Sequence, residues 1–193
     1  MKNWLIRIFC VATVLFFALI LLHVPFLNTI ASTFPSEDSL ARKRNFHDGP
    51  LLQDVDSILV VKRYRHMYVF NGGKLLKVYN IVLGTNPVGH KHFQGDRKTP
   101  EGLYHIDGKN AVSIAYKSLG ISYPNNADRA YARSQGKPTG GDVKIHGTLN
   151  GYEAEEDEWM KSDWTWGCVA VRNKDMEELY QHVKVGAPIL ITP

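Results

Sequence analysis

The sequence predicts a mainly β domain, a sandwich-like mixed sheet with a few helices, preceded by one N-terminal transmembrane helix. An uncharged apolar run covers residues 8–22 and continues over residues 24–27. From Ser57 onward, short segments rich in β-branched and aromatic residues recur between glycine- and proline-containing turns, as in β proteins. One clear amphipathic pattern, in which apolar residues recur at helical spacing, runs from Met176 to Val183.

The apolar run at the N-terminus is typical of a membrane anchor. A spanning helix needs about 20 apolar residues, which this run reaches. Lys2 and Arg7 precede it, so the N-terminus is expected in the cytoplasm and the rest of the chain outside it. A signal peptide begins similarly, but residues 29–31 form only a weak cleavage site. We therefore predict an uncleaved anchor at residues 1–27.

The remaining chain divides into a linker at residues 28–56 and a domain at residues 57–193. The linker is polar and mixed in charge. A tight turn at Asn71-Gly72 predicts a hairpin. Asn173 is predicted to cap the amphipathic helix, with Gly186 and Pro188 ending it. Strands are predicted at 57–61, 67–70, 74–83, 103–106, 142–146 and 188–192, and shorter helices at 127–132 and 153–161.

Charge and cysteine content narrow the function. Lys and Arg total 23 and Asp and Glu total 19, a dispersed excess that gives no reason to expect nucleic-acid binding. Of the two cysteines, Cys10 lies in the apolar run and Cys168 stands alone in the domain, so the domain has no internal disulfide. An unpaired thiol in an exported domain is a liability, which favours a reactive role for Cys168.

His146 and Cys168 are the candidate catalytic pair. A thiol is a good nucleophile as the thiolate, and a neighbouring imidazole can accept its proton. Gly167 permits a sharp turn before Cys168, where backbone N–H groups can form an oxyanion hole. Taken alone, however, a single cysteine is usually a small buried apolar residue and a single histidine a satisfied polar one.

The surrounding motifs resemble those of the YkuD-type (ErfK-like) L,D-transpeptidases, closest to a YafK-like branch. Residues 95–102 (GDRKTPEG) are similar to the family's Gly-x-x-x-Thr-Pro-x-Gly element. The family's sequence motifs are also resembled by residues 141–147 (GDVKIHG) and 123–125 (YPN). Residues 165–168 (TWGC) match Ser/Thr-His-Gly-Cys, except that Trp166 replaces the histidine. The family's arginine two positions after the cysteine is replaced by Ala170, and Arg172 follows.

The resemblance implies the YkuD fold and acyl transfer on peptidoglycan stem peptides. Cys168 would attack the carbonyl, His146 would relay the proton, and the Gly147 carbonyl would orient His146. Arg172 would bind a substrate carboxylate, for which its fork is suited, or form a surface salt bridge. The other substrate-binding candidates are Gly167, Thr165, Trp166 and Tyr123.

Several alternatives stay open at this stage. A hydrolase on the same site would cut a peptide or lipoprotein link in the wall, and a non-catalytic wall-binding module is a third reading. No cofactor or metal is expected, because His90 and His92 lie in a loop among glycine, proline and lysine. The expected partners are stem peptides, the membrane and a wall-linked lipoprotein. The expected location is the periplasmic side of the inner membrane.

Overall fold

A computed structural model of the chain describes residues 49–193 and contains eight strands and three α-helices in that range. The strands are β1 (Ser57–Val61), β2 (His66–Asn71), β3 (Lys74–Asn80), β4 (Gly102–Asn110), β5 (Ser118–Ile121), β6 (Lys144–His146), β7 (Val169–Ala170) and β8 (Pro188–Thr192). The helices are α1 (Asn126–Ser134), α2 (Glu156–Trp159) and α3 (Asn173–His182), and 3₁₀ turns cover Lys62–Tyr64 and Glu153–Glu155.

All eight strands belong to one mixed sheet in the order β3-β2-β1-β8-β4-β5-β6-β7. Two pairs are parallel, β1 with β8 and β6 with β7, and the other pairs are antiparallel. The segment after β3 bridges to the opposite edge through Val82 and Ala170, with backbone hydrogen bonds of 2.8 and 2.9 Å. The sheet therefore curls until its two ends meet. The predicted mainly β mixed sheet is confirmed, as a single curled sheet rather than two stacked ones.

The core lies inside the curl and is closed by α3. Met176 and Leu179 of α3 are fully buried, as the amphipathic pattern predicts. Leu51 and Val55, which precede the predicted domain boundary at Ser57, also belong to the core cluster. Val55 exchanges backbone hydrogen bonds with His182 and Lys184 at the end of α3. The last residues of the predicted linker are thus part of the packed domain.

The hairpin and the helix starts differ in detail from the prediction. Asn71 pairs with Lys74, so the central turn residues are Gly72 and Gly73, both at positive φ, rather than Asn71 and Gly72. Helix α1 has a capping box formed by Asn125 and Asp128.

Helix α3 begins one residue earlier than its predicted cap implies. Asn173 is the first helical residue and not the N-cap, which is Arg172 without a side-chain cap bond. The reason is tertiary: Glu156 Oε1 accepts the Asn173 N–H at 2.6 Å, which makes a local cap unnecessary.

The predicted membrane anchor at residues 1–27 lies outside the described residues. Within residues 49–193, none of the helices has the length and apolar character needed to cross a bilayer.

Candidate active site

The parallel pairing of β6 and β7 brings His146 and Cys168 into one neighbourhood. Ile145 pairs with Val169 and His146 with Ala170. Extending this register by one residue places Lys144 opposite Cys168. Because side chains alternate along a strand, Lys144 and His146 share one face of β6, and Cys168 is in phase with it. Sequence reasoning predicts the histidine and cysteine, and the register adds Lys144 as the residue opposite Cys168.

His146 is held as a neutral imidazole with a defined tautomer. Its Nδ1 atom lies 2.7 Å from the Gly147 carbonyl oxygen, so Nδ1 carries the proton and donates it. Nε2 is left as the acceptor. Burial lowers the pKa of His146, and the Lys144 charge lowers it further, against the opposing effect of the Gly147 hydrogen bond. The Trp164 ring packs edge-on against the imidazole, with centroids 5.5 Å apart.

Cys168 is partly buried and is a neutral thiol at rest. Its Sγ atom donates to the Asp142 carbonyl oxygen at 3.8 Å. Burial raises the pKa of Cys168, while the backbone N–H and the charge of Lys144 oppose this rise. A raised thiol pKa and a lowered imidazole pKa mean that the two groups do not form a thiolate–imidazolium pair before substrate binds. The arrangement suits proton transfer during attack, with Nε2 as the general base.

The loop before Cys168 is fixed by Thr165. The Thr165 hydroxyl donates to the Cys168 carbonyl oxygen at 2.7 Å and accepts the Gly167 N–H at 3.1 Å. Thr165 is buried, so its hydroxyl serves the loop rather than a ligand. Gly167 has φ of 133°, and a Cβ there would lie 2.6 Å from the Lys98 carbonyl oxygen. Since the Gly167 N–H is engaged, the Cys168 N–H is the better candidate of the two for an oxyanion donor.

Gly147 is required by the packing of α3 against β6. A Cβ atom at residue 147 would collide with Asn173 Oδ1 and would lie 3.0 Å from the Cβ of Tyr116. The same Asn173 oxygen accepts the Thr148 N–H at 2.8 Å. Glu156 Oε1 in turn accepts from Asn173 N and from the Thr148 hydroxyl, at 2.6 and 3.2 Å. These bonds fix the backbone whose carbonyl orients His146.

The remaining predicted substrate-binding residues separate into buried and exposed groups. The hydroxyl of buried Tyr123 donates to backbone carbonyls of Lys91 and Thr139, which indicates a scaffold role. Trp166 is 74% exposed and is the large aromatic side chain nearest in sequence to the nucleophile. Arg172 is half-buried and forms ion pairs with Asp157 and, at 3.7 Å, with Glu156. The salt bridge, one of the two roles predicted for Arg172, is therefore present, and binding of a substrate carboxylate stays a prediction.

The histidines of the 84–98 loop have structural partners. His90 Nε2 lies 3.0 Å from Asp128 Oδ1, and Nδ1 accepts the Glu101 N–H at 2.9 Å. Both ring nitrogens of His90 are thus engaged. Within residues 49–193 no group of three or more histidine, cysteine or acidic side chains is arranged to hold a metal ion.

Comparison with known proteins gives a consistent family assignment. A family model described as YkuD, L,D-transpeptidase catalytic domain, matches residues 56–191, more than half of the chain. YafK of Escherichia coli (strain K12), whose name assigns it to the L,D-transpeptidases, is 31% identical over 126 residues. That alignment covers 63% of this chain and 44% of YafK, so the chain spans less than half the length of this relative.

A solved structure shows the same fold. The helical cell shape determining protein Pgp2 from Campylobacter jejuni superposes with a TM-score of 0.54 at 27% identity. The superposition covers 72% of this chain and 48% of Pgp2.

Proposed function

Because the chain belongs to the YkuD family of L,D-transpeptidase catalytic domains, we propose that it transfers acyl groups of peptidoglycan stem peptides through a cysteine thioester. The observation that carries the proposal is the β6–β7 pairing, because its register puts His146 and Cys168 on the same face of two neighbouring chain segments. The hydrogen bond from His146 Nδ1 to Gly147 leaves Nε2 free to act as the base.

Each proton in the proposed reaction has a place. As Cys168 Sγ attacks the carbonyl carbon at the L-centre of a diaminopimelate residue, its proton passes to Nε2 of His146. The Cys168 N–H stabilises the oxyanion. When the tetrahedral intermediate collapses, the C–N bond breaks and Nε2–H protonates the leaving amine. An amine of a second stem peptide then attacks the thioester and gives its proton to Nε2 of His146. The C–S bond breaks as the new amide forms, and the proton returns from Nε2 to the sulfur.

Water is the alternative acceptor, which would make the protein a hydrolase of a peptide or peptidoglycan–lipoprotein link. The residue at position 166 supports hydrolysis as the second candidate function. The family's usual histidine is replaced there by an indole that is largely exposed and contacts Arg97. We include a wall-linked lipoprotein in the proposal as a partner. We also include remodelling of cell shape as the biological role, by analogy with the name of Pgp2.

One experiment separates transfer from hydrolysis. The full chain, purified in detergent, is incubated with tetrapeptide muropeptides in water enriched in heavy oxygen, and products are read by mass spectrometry. Transfer gives an unlabelled cross-linked dimer, whereas hydrolysis gives a shortened peptide or released partner labelled in its new carboxylate. The Cys168→Ala variant is the control. Turnover that survives in this variant would contradict the thioester, and labelled product alone would establish the hydrolase.

We further propose that the domain lies in the periplasm and is anchored by residues 1–27. The basic residues before the apolar run and the solitary thiol of the domain support this location. Alkaline phosphatase fused to the C-terminus is expected to be active. A fluorescent protein that matures only in the cytoplasm is expected to be dark in the same position. The reverse pair of results would contradict export.

A further inference from the structure

The loop at residues 84–98 packs directly against the nucleophile loop. A Cβ atom on Gly84 would collide with the Arg97 carbonyl and lie 3.1 Å from the Gly167 Cα. The Lys98 carbonyl oxygen in turn lies so near Gly167 that a Cβ atom at residue 167 would be 2.6 Å from it. The backbone at residues 97–98 therefore touches the residue immediately before Cys168. Arg97 is exposed on this loop and directly precedes Lys98, whose carbonyl approaches Gly167.

The Asp96 carboxylate fixes the conformation of this loop through four hydrogen bonds. Its carboxylate accepts from Lys91 Nζ at 2.7 Å and from the backbone N–H groups of His92, Phe93 and Lys98 at 2.8, 2.9 and 3.0 Å. Burial opposes ionisation, but these hydrogen bonds prevail and lower the pKa of Asp96. The carboxylate holds the turn in which Arg97 adopts a positive φ of 58°.

Arg97 presents a guanidinium that no acidic side chain of the described part of the chain, residues 49–193, neutralises. Its Cζ atom lies 5.2 Å from the centroid of the exposed Trp166 ring, a cation–π contact. Among residues 49–193, no carboxylate forms an ion pair with Arg97, in contrast to Arg65 and Arg172, which both bind acids. The ring steadies the guanidinium and leaves its N–H edge for a ligand.

We propose that Arg97 and Trp166 form a subsite that binds a carboxylate of the substrate peptide next to the scissile carbonyl. Arginine suits this ligand because its planar fork matches a carboxylate in two parallel hydrogen bonds. The identity of the peptide rests on the proposed function: a diaminopimelate residue attacked at its L-centre carries a free carboxylate at its other end. Arg97 thus takes one of the two roles that sequence reasoning left open for Arg172.

Charge-matched alkylating reagents test the subsite without any turnover. Iodoacetate carries the carboxylate and iodoacetamide is its neutral analogue, and labelling at Cys168 is quantified by peptide mass spectrometry of the full chain. Arg97→Gln is expected to slow iodoacetate several-fold and to leave iodoacetamide unchanged. Arg97→Lys is expected to keep most of the preference. Arg133→Gln, an exposed arginine on α1, is the matched control. An unchanged ratio of the two rates in Arg97→Gln would overturn the inference.

Peptide substrates supply the second readout. For the wild type, KM is expected to be several-fold lower for a stem peptide with a free diaminopimelate carboxylate than for its amidated form. Arg97→Gln is expected to abolish that difference while kcat changes little. Turnover with a discrimination that persists in Arg97→Gln would refute the subsite but not the proposed function. An altered iodoacetate ratio in a protein that turns over neither peptide would refute the proposed function but not the anion subsite.

Discussion

The side-chain oxygen of Asn173 occupies the space beside Gly147 into which any Cβ atom would project. Asn173 begins α3 and Gly147 follows the histidine at the end of β6, so the contact joins the helix to the candidate site. The same oxygen accepts the Thr148 N–H at 2.8 Å. The Gly147 carbonyl that orients His146 is therefore positioned by the start of a helix.

Gly147→Ala is expected to lower both stability and turnover. The added methyl must displace Asn173 Oδ1, and such overpacking typically costs about 1–3 kcal/mol of unfolding free energy. Displacement of the backbone also moves the acceptor of His146 Nδ1. Urea denaturation and kcat/KM measure the two effects.

Gly108→Ala is the control, because a Cβ there meets nothing within 4 Å. Adding Asn173→Ala to Gly147→Ala should recover part of the lost stability by removing the colliding oxygen. If Gly147→Ala is as stable as Gly108→Ala, the packing explanation is wrong.

Glu156→Ala is expected to destabilise α3 although Glu156 lies in a different helix. The carboxylate accepts the first N–H of α3 at 2.6 Å and contacts Thr148 and Arg172. Loss of a helix N-terminal acceptor costs about 0.5–2 kcal/mol. Glu156→Gln keeps an acceptor oxygen and should fall between wild type and Ala in chemical denaturation.

Glu155→Ala removes an exposed neighbour on the same acidic segment and serves as the matched control. Equal stability of the Glu155 and Glu156 variants would mean that the cap contributes nothing measurable.

The sequence predicted those strands and turns that depend on residues close together in the chain. β1 and β8 follow from runs of branched apolar residues, and the β2–β3 hairpin follows from its glycines, with the turn displaced by one residue because Gly73 is also available. β5 was not predicted, since Ser118-Leu119-Gly120-Ile121 is short and contains glycine. Gly120 sits there because a Cβ would collide with the Asp107 carboxylate, a contact between strands that composition does not reveal.

In the candidate site, too, the sequence predicted some residues, whereas others became evident only from contacts between distant segments. His146 and Cys168 were predicted from motif resemblance, and the parallel register then places them together. Lys144 stood in the quoted motif, but its place opposite Cys168 depends on which strand pairs with which. For Arg172 the sequence left open a substrate carboxylate or a surface salt bridge, and the structure shows a salt bridge with Asp157. Contacts between segments far apart in sequence decided both outcomes, and residue spacing along the chain does not encode them.

Lys144→Gln is expected to slow alkylation of Cys168 by neutral iodoacetamide several-fold near pH 7.5. The ammonium group lowers the pKa of the thiol against the larger, opposing effect of burial, so its removal raises that pKa and reduces the thiolate fraction. The backbone N–H of Lys144 is retained, while the ion pair of Lys144 with Asp142 is lost together with the charge.

Lys74→Gln, an exposed lysine at the start of β3, is the control for a general loss of positive charge. At a pH well above the thiol pKa of both proteins, the rates for Lys144→Gln and wild type should converge. A difference that persists there would point to altered access rather than to electrostatics.

The pH dependence of the wild type should show a general base rather than a preformed ion pair. Burial raises the pKa of Cys168, so iodoacetamide labelling is expected to increase continuously between pH 6 and pH 9. A thiolate–imidazolium pair would instead give a plateau that begins below neutral pH. Such a plateau would contradict the neutral resting state.

Turnover should follow a different curve from labelling, because it needs His146 neutral and can begin from the protonated thiol. Burial and the Lys144 charge lower the pKa of His146, so kcat/KM rises through a pKa below that of free histidine and stays level through neutral pH. In Lys144→Gln the acid limb should move to higher pH, since the cation that opposes imidazolium formation is gone. Comparing the two acid limbs measures this shift directly, and coincident limbs would show that Lys144 does not act on His146.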